Sequence, residues 1–497
     1  MRVDLVSAPV RYRTLPLLGL FVVMLIPVAL LVALLMWSDG EADEHEAAVD
    51  GESSIPEAPP VVAPVQPALD TSLLAYRRTP ALVGSVRDAN QLAAAMEQLY
   101  VFVGEGSCVA VAVDGRTVST RNPTTPVIPA STHKLLVATV ALDVLGPDHR
   151  FTTSVASPPV VDGVIEGDVF LVGGGDPVLT SDDYPIDQDR QPAFNTTSLD
   201  ALADAFVATG VTTIRGAIVG DGSRFDDERT IESWGPGVAL VDAGPIDALV
   251  VNDSRRLGRT GRQSDPDTTA AREFARLLGA RGVTISNGWD SGTTPPEVGV
   301  VASIQSAPLS DILAEMLTTS DNDTAEILLK ELGVADAGLG TLAAGLTVID
   351  RTLRGWGVPM DDVRLVDGSG LSSENRVTCA ALLAVLDRAA GTPVAAGLPI
   401  AGRTGTLTDE FAGTAVEGRL IAKTGTLGNP PADQDPPEVK GLAGYLPVES
   451  GETLSFAMII TGPGIVTEDG YTGYWTALAE RLAAFPADPD RTPLGPR

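Results

Sequence analysis

The stretch Pro129–Gly146, PASTHKLLVATVALDVLG, decides the reading of this chain. A proline at its start, a long apolar run and a glycine just past its end predict a helix that begins close to Ser131 and stops at Gly146. In a helix, positions i and i+3 share a face, so the Ser131 hydroxyl and the Lys134 amine come together. The helix start also supplies free N–H groups and the positive end of the peptide dipoles, which suit a developing oxyanion. Serine becomes a good nucleophile only with a base beside it, and a neutral lysine can serve. On its own S-x-x-K is a common pattern, equally compatible with a capping serine and a solvated lysine.

Lysine is scarce here. Lys and Arg total 34, yet the lysines are Lys134, Lys330, Lys423 and Lys440 alone. Arginine carries positive charge but stays protonated in proteins, so a retained lysine marks a place where loss of the proton is useful. Lys423 falls in GRLIAKTGTL (418–427), a strand-like stretch in which Lys423 tunes local charge. The Thr424 and Thr426 hydroxyls offer donors to a carboxylate, and Gly425 leaves the strand edge open to a substrate. An earlier copy, Arg403-Thr404-Gly405-Thr406, puts arginine at the basic position and reads as a loop of similar wording. Ser320-Asp321-Asn322 lies in a polar break between two helical stretches, where a hydroxyl and an amide two residues apart project the same way. Alone, that triplet is also what any helix-capping loop uses.

The remaining chain sets the context. A net charge of −31 argues against nucleic acid as a partner. Residues 15–37 are apolar throughout, preceded by Arg11 and Arg13 and followed by Asp39, Glu41, Asp43, Glu44 and Glu46. That length and charge asymmetry predict a membrane anchor with the rest outside the cytoplasm, a cleaved signal being the competing reading. The expected organisation is a cytoplasmic N-terminus (1–13), an anchor (14–37), an acidic and Pro-rich linker (38–75) and a first catalytic segment (76–151). A β-rich insertion (152–300), a second catalytic segment (301–485) and a loose tail (486–497) follow. If residues 1–37 are cleaved, the protein is secreted; otherwise it is a single-pass membrane protein. Cys108 and Cys379 fit no metal spacing, and their distance in sequence weighs against a disulfide. His45, His133 and His149 form no ligand cluster, so neither metal nor cofactor is expected. The stretch Gly173-Gly174-Gly175-Asp176 lacks the lysine and spacing of a phosphate loop and reads as a turn. Trp234 and Trp356 read as packing residues.

Taken together, Ser131-x-x-Lys134, Ser320-x-Asn322 and Lys423-Thr424-Gly425 stand in the order found in penicillin-binding proteins and class A β-lactamases. The chain resembles the class C penicillin-binding proteins of the D-alanyl-D-alanine carboxypeptidase/endopeptidase (DacB) type. The further stretches that carry the likeness are GGGDPVL (173–179), GDGSRFD (220–226), VVNDSR (250–255), DGSGLSSENRVT (367–378), AGRTGTL (401–407) and GLAGY (441–445). His133 departs from the smaller or apolar residue more usual in the family. The resemblance implies an α/β (α+β) serine penicillin-recognising fold, with an antiparallel sheet flanked by helices and split by the long insertion. It implies that Ser131 attacks the carbonyl of a D-alanyl-D-alanine peptide and that Lys134 takes its proton. Ser320 and Lys423 would protonate the leaving amine, Asn322 would bind the acyl-side amide, and Thr424 and Thr426 would hold the terminal carboxylate. The Ser131 and Thr426 N–H groups would form the oxyanion hole. Peptidoglycan peptides ending in D-Ala-D-Ala are the implied substrates, with cross-link cleavage as a second activity, and β-lactams the implied inhibitors. A β-lactamase and a non-catalytic wall-binding protein on the same fold are the rival readings.

Overall fold

The computed structural model describes residues 79–185, 193–235, 237–259, 261–429, 435–449 and 451–486. The run at 14–37, the segments on either side of it and all but the first residue of the tail at 486–497 lie outside the described residues. Among the described residues no helix is long and apolar enough to cross a membrane.

The central sheet takes its strands from the two ends of the described chain. Strands β1 (Cys108–Val113) and β2 (Arg116–Arg121) come first. After them, β3 (Thr152–Ala156), β4 (Val169–Val172), β5 (Ile218–Asp221), β6 (Trp289–Ser291) and β7 (Val300–Gln305) build a second sheet. Strands β8 (Ile421–Leu427), β9 (Val439–Pro447) and β10 (Thr453–Thr461) then return to the first. The central order is β8-β9-β10-β1-β2, antiparallel throughout. The turn Asp114-Gly115 joins β1 to β2 with both residues at positive φ, the backbone of a tight hairpin.

Every residue of β1 is buried, rather than every second one, because helices cover both faces of the sheet. The helices are α1 (Thr79–Tyr100), α2 (Lys134–Leu145), α3 (Leu199–Val207), α4 (Pro266–Ala280), α5 (Leu309–Glu315), α6 (Asn322–Ala337), α7 (Leu342–Gly355), α8 (Cys379–Ala389) and α9 (Glu468–Ala483). On one face Val109, Val111, Leu442 and Met458 pack with Leu92, Met96 and Leu99 of α1 and Trp475 and Leu478 of α9. On the other, Ala110, Ala112, Ala443 and Ile459 meet α2 and α8, with α6 behind them. Helix α2 is buried around most of its circumference, which explains why its sequence is apolar without a clean stripe. Gly146, at φ 85°, ends it as predicted.

The second sheet, ordered β6-β5-β4-β3-β7, mixes parallel and antiparallel pairs. Helices α3 and α4 share its apolar core with Leu171 and Ile218. Its two ends meet where Thr152 pairs with Gln305, and Ser306 N–H donates to Phe151 O at 3.0 Å. A segment of some 150 residues therefore leaves and re-enters the central fold at one place without disturbing it. In the GGGD stretch, buried Asp176 accepts from the Val178 N–H at 3.0 Å, the work of a structural turn.

Ion pairs hold this segment to the helices that carry the site. Arg224 pairs with the buried Glu331, Arg262 reaches Asp323 at 2.6 Å, and Lys330 reaches Asp226 at 2.6 Å. Trp234 Nε1–H donates to Asp367 at 2.9 Å.

One expectation is corrected. Cys108 and Cys379 form a disulfide, with their Cα atoms 5.9 Å apart. Separation along the chain does not oppose it, since α8 lies on the sheet face that displays Cys108 and places the start of the helix over the start of β1. Replacing both cysteines with serine is expected to lower unfolding stability by about 2–4 kcal/mol, read from urea denaturation of the non-reduced proteins.

Candidate active site

Ser131 sits in a tight turn, Ala130–His133, that precedes α2. Ala130 enters it at φ 45°, and Thr132 Oγ1–H donates to Pro129 O at 2.7 Å, so the turn is fixed before the helix begins. Lys134 opens α2 and is fully buried. Its Nζ lies 2.9 Å from Ser131 Oγ, 2.7 Å from Asn322 Oδ1 and 2.7 Å from Ser369 O. The last two atoms can only accept, so they take two N–H bonds of the amine. The third direction faces a hydroxyl, which can donate as well as accept. A neutral Lys134 therefore satisfies all three neighbours and presents its lone pair to the Ser131 proton.

Burial pushes Lys134 down to about 8, and the nearby Asp321, Asp367, Glu326 and Asp323 carboxyl groups offset part of that fall. Lys423, also fully buried, is held well below an ordinary lysine by burial and by the nearby Lys134. Its Nζ donates to Ser320 Oγ at 2.8 Å and to Thr424 O at 3.0 Å. Two serine–lysine pairs thus stand side by side, with Asn322 touching the first and the Asp321 charge acting on its lysine.

Ser320 ends a wide helical turn, Met316–Ser320, at φ 65°, a backbone state that costs a non-glycine residue roughly 1–3 kcal/mol. Asp321 then caps α6, accepting from Asp323 N–H at 3.2 Å and Thr324 N–H at 3.0 Å. Capping and a strained serine together aim Ser320 and Asn322 to the same side. Asn322 Nδ2–H donates to Asp242 O at 2.9 Å, so its amide ties the site to the inserted segment as well as to Lys134.

Strand β8 closes the third side. A Cβ on Gly425 would lie 2.9 Å from Pro129 O and 3.2 Å from Thr132 N, so glycine is needed for the strand to approach the Ser131 turn. The chain's own Ser131 turn is thus the nearest obstacle, where the sequence suggested room for a substrate. Thr426, one residue on, is exposed, and Thr424 is buried.

The structure also changes the reading of the Arg403 copy. Thr406 Oγ1 and Thr424 Oγ1 are 2.8 Å apart, so the earlier R-T-G-T stretch packs beside K-T-G and buttresses its hydroxyl. Sequence reasoning passed over three further residues. Buried Glu326 accepts from the Gly368 and Ser369 N–H groups at 2.9 and 2.7 Å, which fixes the Ser369 carbonyl that holds Lys134. Asp367 accepts from Gly370 N–H, Ser372 N–H and Asn375 Nδ2–H as well as from Trp234. The DGSGLSSENRVT likeness was the signal for Asp367 and Ser369; Glu326 lies outside it and had none. Burial and Asp367 push Glu326 up to about 8. His133 is fully buried under the same loop, and burial pushes its imidazole down.

A cavity of about 240 Å³ opens beside Ser320 and Asn322 toward the inserted segment, lined by Tyr184, Asp253, Arg255, Arg262 and Glu315 among others. It offers both carboxylates and guanidinium groups within reach of the serine–lysine pairs.

Known proteins share this arrangement of chain. The family model described as D-Ala-D-Ala carboxypeptidase 3 (S13) matches residues 90–260 and 252–482. A D-alanyl-D-alanine carboxypeptidase of Actinomadura sp. (strain R39) is 31% identical over 442 residues, covering 72% of this chain and 77% of its own. A carboxypeptidase of Mycobacterium tuberculosis is 32% identical over 443 residues, covering 84% and 88%. The crystal structure of penicillin binding protein 4 from Haemophilus influenzae matches with a TM-score of 0.63 at 21% identity, over 78% of this chain and 98% of that one. The protein therefore belongs to the D-Ala-D-Ala carboxypeptidase 3 (S13) family and is a serine-type D-Ala-D-Ala carboxypeptidase.

Proposed function

We propose that Ser131 is the nucleophile of this carboxypeptidase and Lys134 its base, acting on stem peptides of peptidoglycan that end in D-Ala-D-Ala. The observation that carries this reading is the buried Lys134 amine 2.9 Å from Ser131 Oγ, with its other contacts made to pure acceptors.

The steps follow from the positions of the groups. Ser131 Oγ attacks the carbonyl carbon between the two D-alanines while its proton passes to Lys134 Nζ. The carbonyl oxygen gains charge next to the Ser131 and Thr426 N–H groups, on the turn and strand that Gly425 brings into contact. The C–N bond then breaks, and the departing amine takes a proton relayed through Ser320 and Lys423, which are 2.8 Å apart. Thr424 and Thr426 receive the terminal carboxylate, with Thr406 fixing the Thr424 hydroxyl. Asn322 holds Lys134 through its oxygen and accepts the acyl-side amide of the substrate in the same region. Water attacks the ester in the reverse sense and frees Ser131. A β-lactam presents a strained amide in place of D-Ala-D-Ala, so the same first step leaves a penicilloyl ester on Ser131. Endopeptidase action uses the same chemistry on a cross-linked amine; the mixed-charge cavity by Ser320 supplies space for the longer group.

Ser131→Ala tests the assignment. The variant is expected to release no D-alanine from a D-Ala-D-Ala peptide above the uncatalysed rate and to take up no fluorescent penicillin. Retained labelling would place the nucleophile elsewhere, and hydrolysis of penicillin faster than of the peptide by the unaltered protein would favour a β-lactamase.

We further propose that residues 14–37 anchor the protein in the cell membrane by a single span, with the carboxypeptidase outside. Support comes from the apolar run and its flanking charges. The full chain is then expected to stay in the pellet when membranes are washed with alkaline carbonate; release into the wash would contradict the anchor.

A further inference from the structure

Away from the two serine–lysine pairs, the inserted segment contains a cavity of about 490 Å³ between α4 and the edge strand β6. Its floor is apolar, made by Leu257, Ala275, Val283 and Ile285, and its rim is basic. Basic rims are not the default in a chain of net charge −31. Arg256 and Arg272 on this rim have no ion-pair partner among the described residues. The rim carboxylate, Glu273, is engaged by Arg276 at 2.6 Å, and Arg276 also reaches Asp183 at 2.9 Å. Arg272 lies over the Trp289 ring, 5.5 Å from its centre, and Trp289 remains 46% exposed at the first position of β6, the open edge of its sheet.

Trp289 stands at the margin of the segment's apolar core, whose Ala275, Val283 and Ile285 also line the cavity. The half-exposed indole and the apolar floor fit the C–H face of a sugar, and two guanidinium groups without ion-pair partners among the described residues, one of them beside that ring, fit a carboxylate or phosphate attached to it. We propose that this cavity is a second binding site, for an anionic saccharide, distinct from the cleft that holds the peptide. It would hold peptide-free stretches of the polysaccharide to which substrate peptides are attached, or an anionic polymer beside it, while Ser131 works on the peptide ends. The saccharide class rests on the carboxypeptidase's wall substrate; the anion site itself rests on Arg256, Arg272 and Trp289.

The two sources of such a ligand are a glycan with sugar-borne carboxylates and a phosphodiester-linked glycan. Binding is measured by titration calorimetry on the full chain in detergent micelles. One probe is peptidoglycan glycan strands stripped of peptide, which cannot occupy the D-Ala-D-Ala cleft; the other is a sugar polymer joined by phosphodiesters. At least one probe is expected to bind. Its affinity should fall about tenfold or more in Arg256→Glu/Arg272→Glu, and again when salt is raised, since a charged hydrogen bond is lost with each arginine. Trp289→Ala should weaken binding about fivefold or more by removing the ring contact. Both variants should take up fluorescent penicillin at the unaltered rate, which shows that the fold and the Ser131 site are intact. Binding of the carboxylate probe identifies the peptidoglycan strand as ligand, and binding of the phosphate probe alone identifies the accompanying polymer. The proposal is overturned if neither probe binds at millimolar concentration, or if binding is equal in the variants. Loss of penicillin uptake by the unaltered protein would instead count against the Ser131 assignment and leave the titration readable.

Discussion

Everything in this structure turns on keeping a lysine without water next to a serine. A buried ammonium is costly unless it is compensated, and Lys134 lies between the two limits. Burial alone would drive it far down; four carboxyl groups around it offset part of the fall and leave it at about 8. Relative to a lysine in water, that favours the neutral amine by about 3 kcal/mol, enough to supply a base near neutral pH while the group still accepts a proton. Lys423 is pushed well below an ordinary lysine by burial and by the nearby Lys134. The two lysines thus sit in different surroundings, in keeping with the proposed division in which Lys134 takes a proton and Lys423 steers its return.

The carboxylates that set this balance are themselves held by the architecture. Asp323 is gripped by Arg262 and the Gly244 N–H, and Asp367 by Trp234, all from the inserted segment. Glu331, between two and three turns along α6 from Asn322, is paired with Arg224 of the GDGSRFD stretch. The insertion is thus part of the electrostatic frame of the site and not merely an appendage to it. Removing any one of these arginines would leave a buried carboxylate uncompensated, the costly way to break a buried pair.

How much of this was legible in the sequence depends on the range of the interaction. Ser131 and Lys134 share a helix turn, and local periodicity brings them together. The hairpin at Asp114-Gly115 and the stop at Gly146 are local in the same way. Ser320 and Lys423 are 103 residues apart, so spacing alone could not join them; the order of three motifs and lysine scarcity did. That scarcity has a structural counterpart, since Lys134, Lys330 and Lys423 are all fully buried and Lys440 sits over the rings of Tyr471 and Trp475. What escaped was contact between distant segments with no chemical oddity to mark it. The Cys108–Cys379 bond depends on how α8 lies on the sheet, and the Thr406–Thr424 contact on how a loop folds against β8. Glu326 looks like any acidic residue on an amphipathic helix until its partners at Gly368 and Ser369 are known.

The central claim is that Lys134 must be neutral to activate Ser131, and the pH dependence of acylation tests it most directly. The rate constant for penicillin acylation of the intact protein, measured from pH 6 to pH 10, should rise as Lys134 gives up its proton and level off above a midpoint near 8. A rate that stays flat across that range, or that falls through the same midpoint, would contradict the account.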